Sequence, residues 1–202
     1  MFKDLNKKQL ISLLFLVVVL SGIIGWIYEV IFYYFNGGMK TIYNRGSNFL
    51  PFINIYAFGA LLIMFLTYKQ LRHPFKVFLI CVISTGILEY LTGYILYGVL
   101  KFNRAWDYNV EILNFGNING YVCLRSVLVF GILGLGLMYL IIPMLKRIVK
   151  SKYSNLIFII SVIIFSIFMV DEIYNLIIVR LFNLRDASEI YKSIGIKYPK
   201  FK

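Results

Sequence analysis

Glu89 stands at the middle of Val77–Leu100, an apolar run long enough to cross a bilayer. As a helix rising ~1.5 Å per residue, the run would reach about 36 Å, against roughly 30 Å of hydrocarbon. A charged side chain at that depth costs roughly 2.5–3.5 kcal/mol on insertion scales. A chain that keeps one must shelter it against protein or water rather than lipid. Thr85, Glu89 and Thr92 follow i, i+4, i+7 spacing and share one helix face, with Gly86 and Gly93 beside it.

The rest of the chain has the same character. Of its 202 residues, 60% are hydrophobic and 15% are charged, and the charges cluster between long apolar runs. This is the composition of an integral membrane protein, placed in the cell membrane as a multi-pass chain. The net charge of +12 does not imply nucleic acid, because the Lys and Arg residues sit mostly in short loops. There they set topology and touch the headgroups of membrane lipids. Cys81 and Cys123 both lie in apolar segments without paired spacing, and His73 stands alone in the basic loop Lys69–Lys76. No metal site and no cofactor is expected from these residues.

The expected fold is all-α, a polytopic bundle of about five transmembrane helices with two longer polar loops on one side. The spans are placed at about residues 10–35, 50–68, 77–100, 121–145 and 156–182, within a single membrane domain covering residues 1–202. The first follows a short basic start, but it is too long for a signal peptide and no A-x-A site follows it. Residues 183–202 form a polar, basic tail in which Ile190, Tyr191, Ile194 and Ile196 are spread among lysines.

Positive charge favours a cytoplasmic N-terminus. Inner segments would carry Lys3, Lys7 and Lys8, then Lys69, Arg72 and Lys76, then Lys146, Arg147, Lys150 and Lys152. Outer loops would carry only Lys40 and Arg45, then Lys101 and Arg104, the latter pair offset by Asp107 and Glu111. The tail argues the other way, since five spans put Arg185, Lys192, Lys197, Lys200 and Lys202 outside.

With this topology the polar residues gather at one end. Glu29 falls late in the first span, Arg125 one turn into the fourth, and Asp171 and Glu172 past the midpoint of the fifth. The loops Asn36–Phe49 and Lys101–Gly120 lie on the same side and bring Asn44, Arg45, Asn48, Trp106, Asp107, Tyr108, Asn114, Asn117 and Asn119. The expectation is a polar cavity opening on one side, in which Glu29 and Glu89 are neutralised by Arg45 and Arg125, or partly by protonation. Trp26, three residues before Glu29, would form an aromatic wall beside the acid. A salt-bridge network that only locks helices together is the plainer alternative, and Tyr33, Tyr34, Tyr43 and Phe49 also fit an interfacial belt.

Several short motifs occur in order: Gly25-Trp26-Ile27-Tyr28-Glu29, Asn44-Arg45-Gly46 with Pro51 and Ile55-Tyr56, and Glu89-Tyr90-Leu91-Thr92-Gly93. Trp106-Asp107-Tyr108 follows, then Phe115, Asn119-Gly120 and Cys123-Leu124. In these the chain resembles the CmpB-like family of type IV ABC-transporter membrane proteins, over roughly Leu10 to Leu145. It departs from the family pattern at Leu50, Asn54 and Ala57, and at Tyr121, where the family tends to have arginine. The resemblance implies a transport permease. The chain holds no G-x-x-x-x-G-K-[ST] loop, so any ATP-driven step would run through a separate ATPase or another membrane subunit.

Three functions follow. The first is a permease or substrate-binding subunit for a small polar or amphipathic solute, contacted by Trp26, Glu29, Asn44, Arg45, Glu89, Trp106, Asp107, Tyr108, Asn119 and Arg125. The second is an intramembrane lipid- or prenyl-modifying enzyme in which Glu89 pairs with Glu29 or Asp107 as acid and base. The third is an accessory or scaffold subunit whose Asp171, Glu172, Asn175 and Arg180 grip a partner.

Overall fold

Six helices carry the chain in a computed structural model that describes residues 2–102 and 104–201. Lys202, one of the tail charges, lies outside them. Four helices are long and apolar enough to cross a membrane: α1 Lys7–Asn36, α3 Pro74–Val99, α4 Leu124–Val149 and α5 Ser154–Phe182. Between α1 and α3 comes the shorter apolar α2, Asn54–Thr67, and after α5 the seven-residue α6, Ala187–Ser193. Among the described residues there are no strands, only one isolated bridge between Ile118 and Val122. The chain is thus an all-α, multi-pass membrane protein. The expected second span, residues 50–68, is helical over fourteen residues only, because Pro51 and the bends around it keep the approach irregular.

The helix ends follow local chemistry. Asn6 and Gln9 form a reciprocal capping box at the start of α1, each side chain bonding the other's backbone N–H at 3.0 Å. Pro74 opens α3, where a missing N–H costs nothing. Asp186 caps α6 by accepting the Glu189 N–H at 2.7 Å. Three of the long helices widen into a π-helical stretch: Tyr94–Val99 in α3, Leu137–Ile141 in α4 and Tyr174–Ile178 in α5.

Two compact units emerge, each built from a different part of the chain. One is centred on Phe58–Ile148 and contains most of α2 with α3 and α4. Here glycines let the helices approach closely. Gly86 lies against Val127, and Gly131 against Phe78 and Val82, so α3 and α4 run antiparallel. Gly59 faces Phe130 and Gly134 faces Ile63, so α2 runs alongside α4 in the same direction. The end where α2 finishes and α3 begins is basic, and Lys146 reaches Asp4 there at 3.0 Å.

The second unit comprises Asn6–Ala57 and Val149–Lys200. The Lys8 ammonium lies over the Phe158 ring, and Phe15 stacks on Phe165 with centroids 3.9 Å apart. Both partners advance by seven residues, so α1 and α5 are parallel. Gly22 and Gly25 on α1 are sockets for the rings of Phe52 and Tyr56, which fill the space a side chain would need. Ile53 donates its N–H to the Gly22 carbonyl at 3.2 Å beside the first of them.

Candidate functional site

In the α1–α5 unit, the polar groups meet where α1 ends. Glu29, carried on the last turns of α1, accepts from Arg45 Nε at 2.5 Å, and both side chains are largely buried. The Arg45 guanidinium also lies 4.2 Å from the centre of the Tyr33 ring, one helical turn after Glu29. Trp26 sends its indole N–H to Asn44 Oδ1 at 3.0 Å, on the same face of α1. Asn44 in turn donates to the Tyr198 hydroxyl at 2.8 Å, and its backbone N–H bonds the Lys197 carbonyl at 2.8 Å. The expected Glu29–Arg45 pair with Trp26 beside it is therefore formed, with the tail joined to it. Burial pushes the Tyr198 phenol up to about 12, partly opposed by the Asn44 bond.

A second set of bonds in this unit has no counterpart in the sequence-based expectations. Asp171 on α5 accepts the backbone N–H groups of Phe49 at 3.0 Å and Leu50 at 2.7 Å, and the Asn175 amide at 2.7 Å. Glu172 accepts from Asn48 Nδ2 at 2.6 Å, and Asn175 Oδ1 accepts the Ala187 N–H at 2.7 Å. One helical turn of α5 thus holds both the loop that leads to α2 and the start of α6. The sequence puts these acids at the correct end, but partners that are main-chain amides leave no residue-type signal.

In the other unit, the polar groups meet where α3 ends and α4 begins. Glu89 is only 4% exposed. One carboxylate oxygen accepts the Tyr108 hydroxyl, and the other accepts the Ser126 hydroxyl at 2.7 Å. Thr85, one turn earlier on the same face, is equally buried and bonds the Cys81 carbonyl at 2.7 Å. Arg125 forms an ion pair with Glu111 at 2.8 Å and lies over the Tyr108 ring. The partner found for Arg125 is thus an acid that the sequence presents only as a loop charge. Ser126 also escapes a reading of the sequence, since its only signal is a hydroxyl next to Arg125 in an apolar run.

The remaining predicted residues belong to the loop between these helices. Asp107 pairs with Arg104 at 2.8 Å and accepts the backbone and side-chain N–H groups of Asn109. Trp106 donates to the Tyr121 carbonyl at 2.9 Å and meets the Tyr97 ring edge-on. Asn119, at φ +58°, bonds the Tyr90 hydroxyl at 3.2 Å. Tyr121, the departure from the family pattern, packs against Gly93 and the rings of Tyr90 and Tyr97.

So Trp26, Glu29, Asn44 and Arg45 form one cluster, in the α1–α5 unit. Glu89, Trp106, Asp107, Tyr108, Asn119 and Arg125 belong to the other unit. Among the described residues no group of three or more His, Cys, Asp or Glu side chains could hold a metal ion. Cys81 and Cys123 are free thiols, both buried.

No curated protein and no solved structure matches the chain. A family profile described as "Putative ABC-transporter type IV" matches residues 14–176. That stretch runs from the first turns of α1 to the last turns of α5 and takes in both polar clusters. With most of its length matched, the chain belongs to the CmpB-type family of ABC-transporter membrane proteins.

Proposed function

We propose that this chain is a permease or substrate-binding subunit for a small polar or amphipathic solute, which it binds through the polar cluster around Glu89 where α3 ends and α4 begins. Family membership supports the transport role. The observation that carries the solute site is Glu89, a buried carboxylate satisfied by two hydroxyl donors, Tyr108 and Ser126. A solute hydroxyl or amine can exchange with such a donor while the acid stays hydrogen-bonded throughout. Energy would come from a separate ATPase or another membrane subunit, since no phosphate-binding loop is present.

Five crossings with a cytoplasmic N-terminus fit this reading. Parallel α1 and α5 require an odd number of crossings between them, and α3 and α4 supply two. The third falls to α2, which runs antiparallel to α3. At fourteen residues α2 reaches about 21 Å, short of the hydrocarbon. The stretch before it can lie at membrane depth because Asp171 satisfies its amides. The basic tail then lies on the outer side, where Tyr198 and Lys197 meet Asn44. Arg45 and Arg104, both outer charges, are paired with acids and weaken as topology signals.

A thermal-shift screen of the detergent-solubilised chain against small polar and amphipathic solutes tests the site. A stabilising solute whose effect vanishes in Glu89→Gln is expected. The same stabilisation in that variant would remove Glu89 from the site.

A further inference from the structure

We infer that the loop joining α3 to α4 dips into the membrane and inserts an apolar tip among the lipid chains of the leaflet it borders. The tip is Val110, Ile112, Leu113, Phe115 and Ile118, each 43–62% exposed. Five large apolar side chains bared within nine residues make a patch of the kind that marks a membrane or protein contact.

The same loop meets the two conditions that hydrocarbon imposes. Apart from Lys101 at its start, its charges are cancelled in pairs, Arg104 with Asp107 and Glu111 with Arg125 of α4, each at 2.8 Å. From Val110 to Asn119 the one charged residue is Glu111, which is buried. Irregular backbone at membrane depth must also be bonded internally. Here Tyr108 N–H bonds the Gly120 carbonyl, Ile118 N–H the Val122 carbonyl, and Tyr121 N–H the Ile118 carbonyl. Asn114 covers the Tyr108 carbonyl at 2.8 Å, and Asn117 covers the Gly120 N–H at 2.9 Å.

The apolar face is continuous with the lipid-facing surface of α4. Phe115 accepts the Leu124 N–H at 3.0 Å, Gly116 packs on the Leu124 side chain, and Leu124 is itself exposed. Leu113 adds an independent sign. It holds φ +52°, a left-handed conformation costly for leucine, while its side chain is 62% exposed. A backbone strained to present an apolar group outward is explained by a medium that takes it up. Tyr90, Tyr97, Trp106 and Tyr121 pack ring against ring between this loop and the end of α3.

The test uses the full chain in phosphatidylcholine vesicles, with a polarity-sensitive dye at Leu113→Cys or Ile118→Cys. Brief labelling spares the buried Cys81 and Cys123. Glu189→Cys on α6 serves as the water reference and Ile132→Cys on α4 as the deep-lipid reference. The expected result is strong quenching by lipids spin-labelled near the top of the chain, with a several-fold drop in quenching by aqueous iodide relative to Glu189→Cys. Full iodide quenching would place the tip in water and overturn the inference. Protection from both quenchers would mean that protein covers the tip, which overturns it equally. Leu113→Asn keeps the fold in play, since asparagine tolerates the left-handed region. It should leave the melting temperature unlowered while reducing lipid quenching of the Ile118→Cys probe. Unchanged lipid quenching in that variant would also overturn the inference.

Discussion

Arg45 is the residue on which the α1–α5 cluster turns, because its guanidinium binds Glu29 and faces the Tyr33 ring at once. Removing one partner of a buried pair leaves an uncompensated charge, a loss of about 3–5 kcal/mol. Glu29→Gln should therefore lower the melting temperature in detergent sharply. Arg45→Met added to it should recover much of the loss, and strictly additive losses would contradict the pairing. This pair was legible in the sequence, because Arg45 follows Glu29 by sixteen residues across one loop and no acid lies nearer to it. The partners of Glu89 and Arg125 were not. They depend on a loop of about twenty residues whose path is set by Lys101, Leu113, Asn119 and two glycines at positive φ. Side-chain identity does not forecast such turns.

Among the helices, the long ones are plain from their apolar runs, and the expected spans fail only where α2 is short. Five glycines in the apolar runs, Gly22, Gly25, Gly131, Gly134 and Gly136, suggest points of close helix approach; the first four are such points, whereas Gly136 faces open space. What could not be read was the nature of the approaching group, an aromatic ring from the following loop and helix for the first two. At Gly25 a methyl group would overlap the Tyr56 ring. Gly25→Ala should cost about 1–3 kcal/mol by overpacking, and Tyr56→Ala in the same chain should relieve part of it. Thermal unfolding of the single and double variants would show this. The tail makes a prediction of its own. The Tyr198 phenol is raised from an ordinary value near 10 to about 12, so the folded state favours the protonated form. Its contribution is complete below pH 10 and is lost as pH rises from 10 through 12. Proteolysis of the tail by an alkali-tolerant protease should accelerate across that window in the native chain. In Tyr198→Phe the acceleration should be absent.

Across the whole molecule, the five crossings proposed above put the two ends of the chain on opposite sides of the membrane. A membrane-impermeant maleimide applied to intact cells should label Glu189→Cys and leave Lys3→Cys unlabelled until the membrane is opened. Labelling of both from outside would mean an even number of crossings. The unit that carries Glu29 is discontinuous, made of Asn6–Ala57 and Val149–Lys200. Asp171, which holds the main-chain amides of Phe49 and Leu50, emerges from the ribosome more than a hundred residues after them. During synthesis those amides must wait in the translocon's shelter or at the headgroups until the last helix arrives. Assembly of the first cluster is thereby deferred to the end of translation, and a chain stopped before α5 would expose unfinished backbone to the quality-control proteases of the membrane.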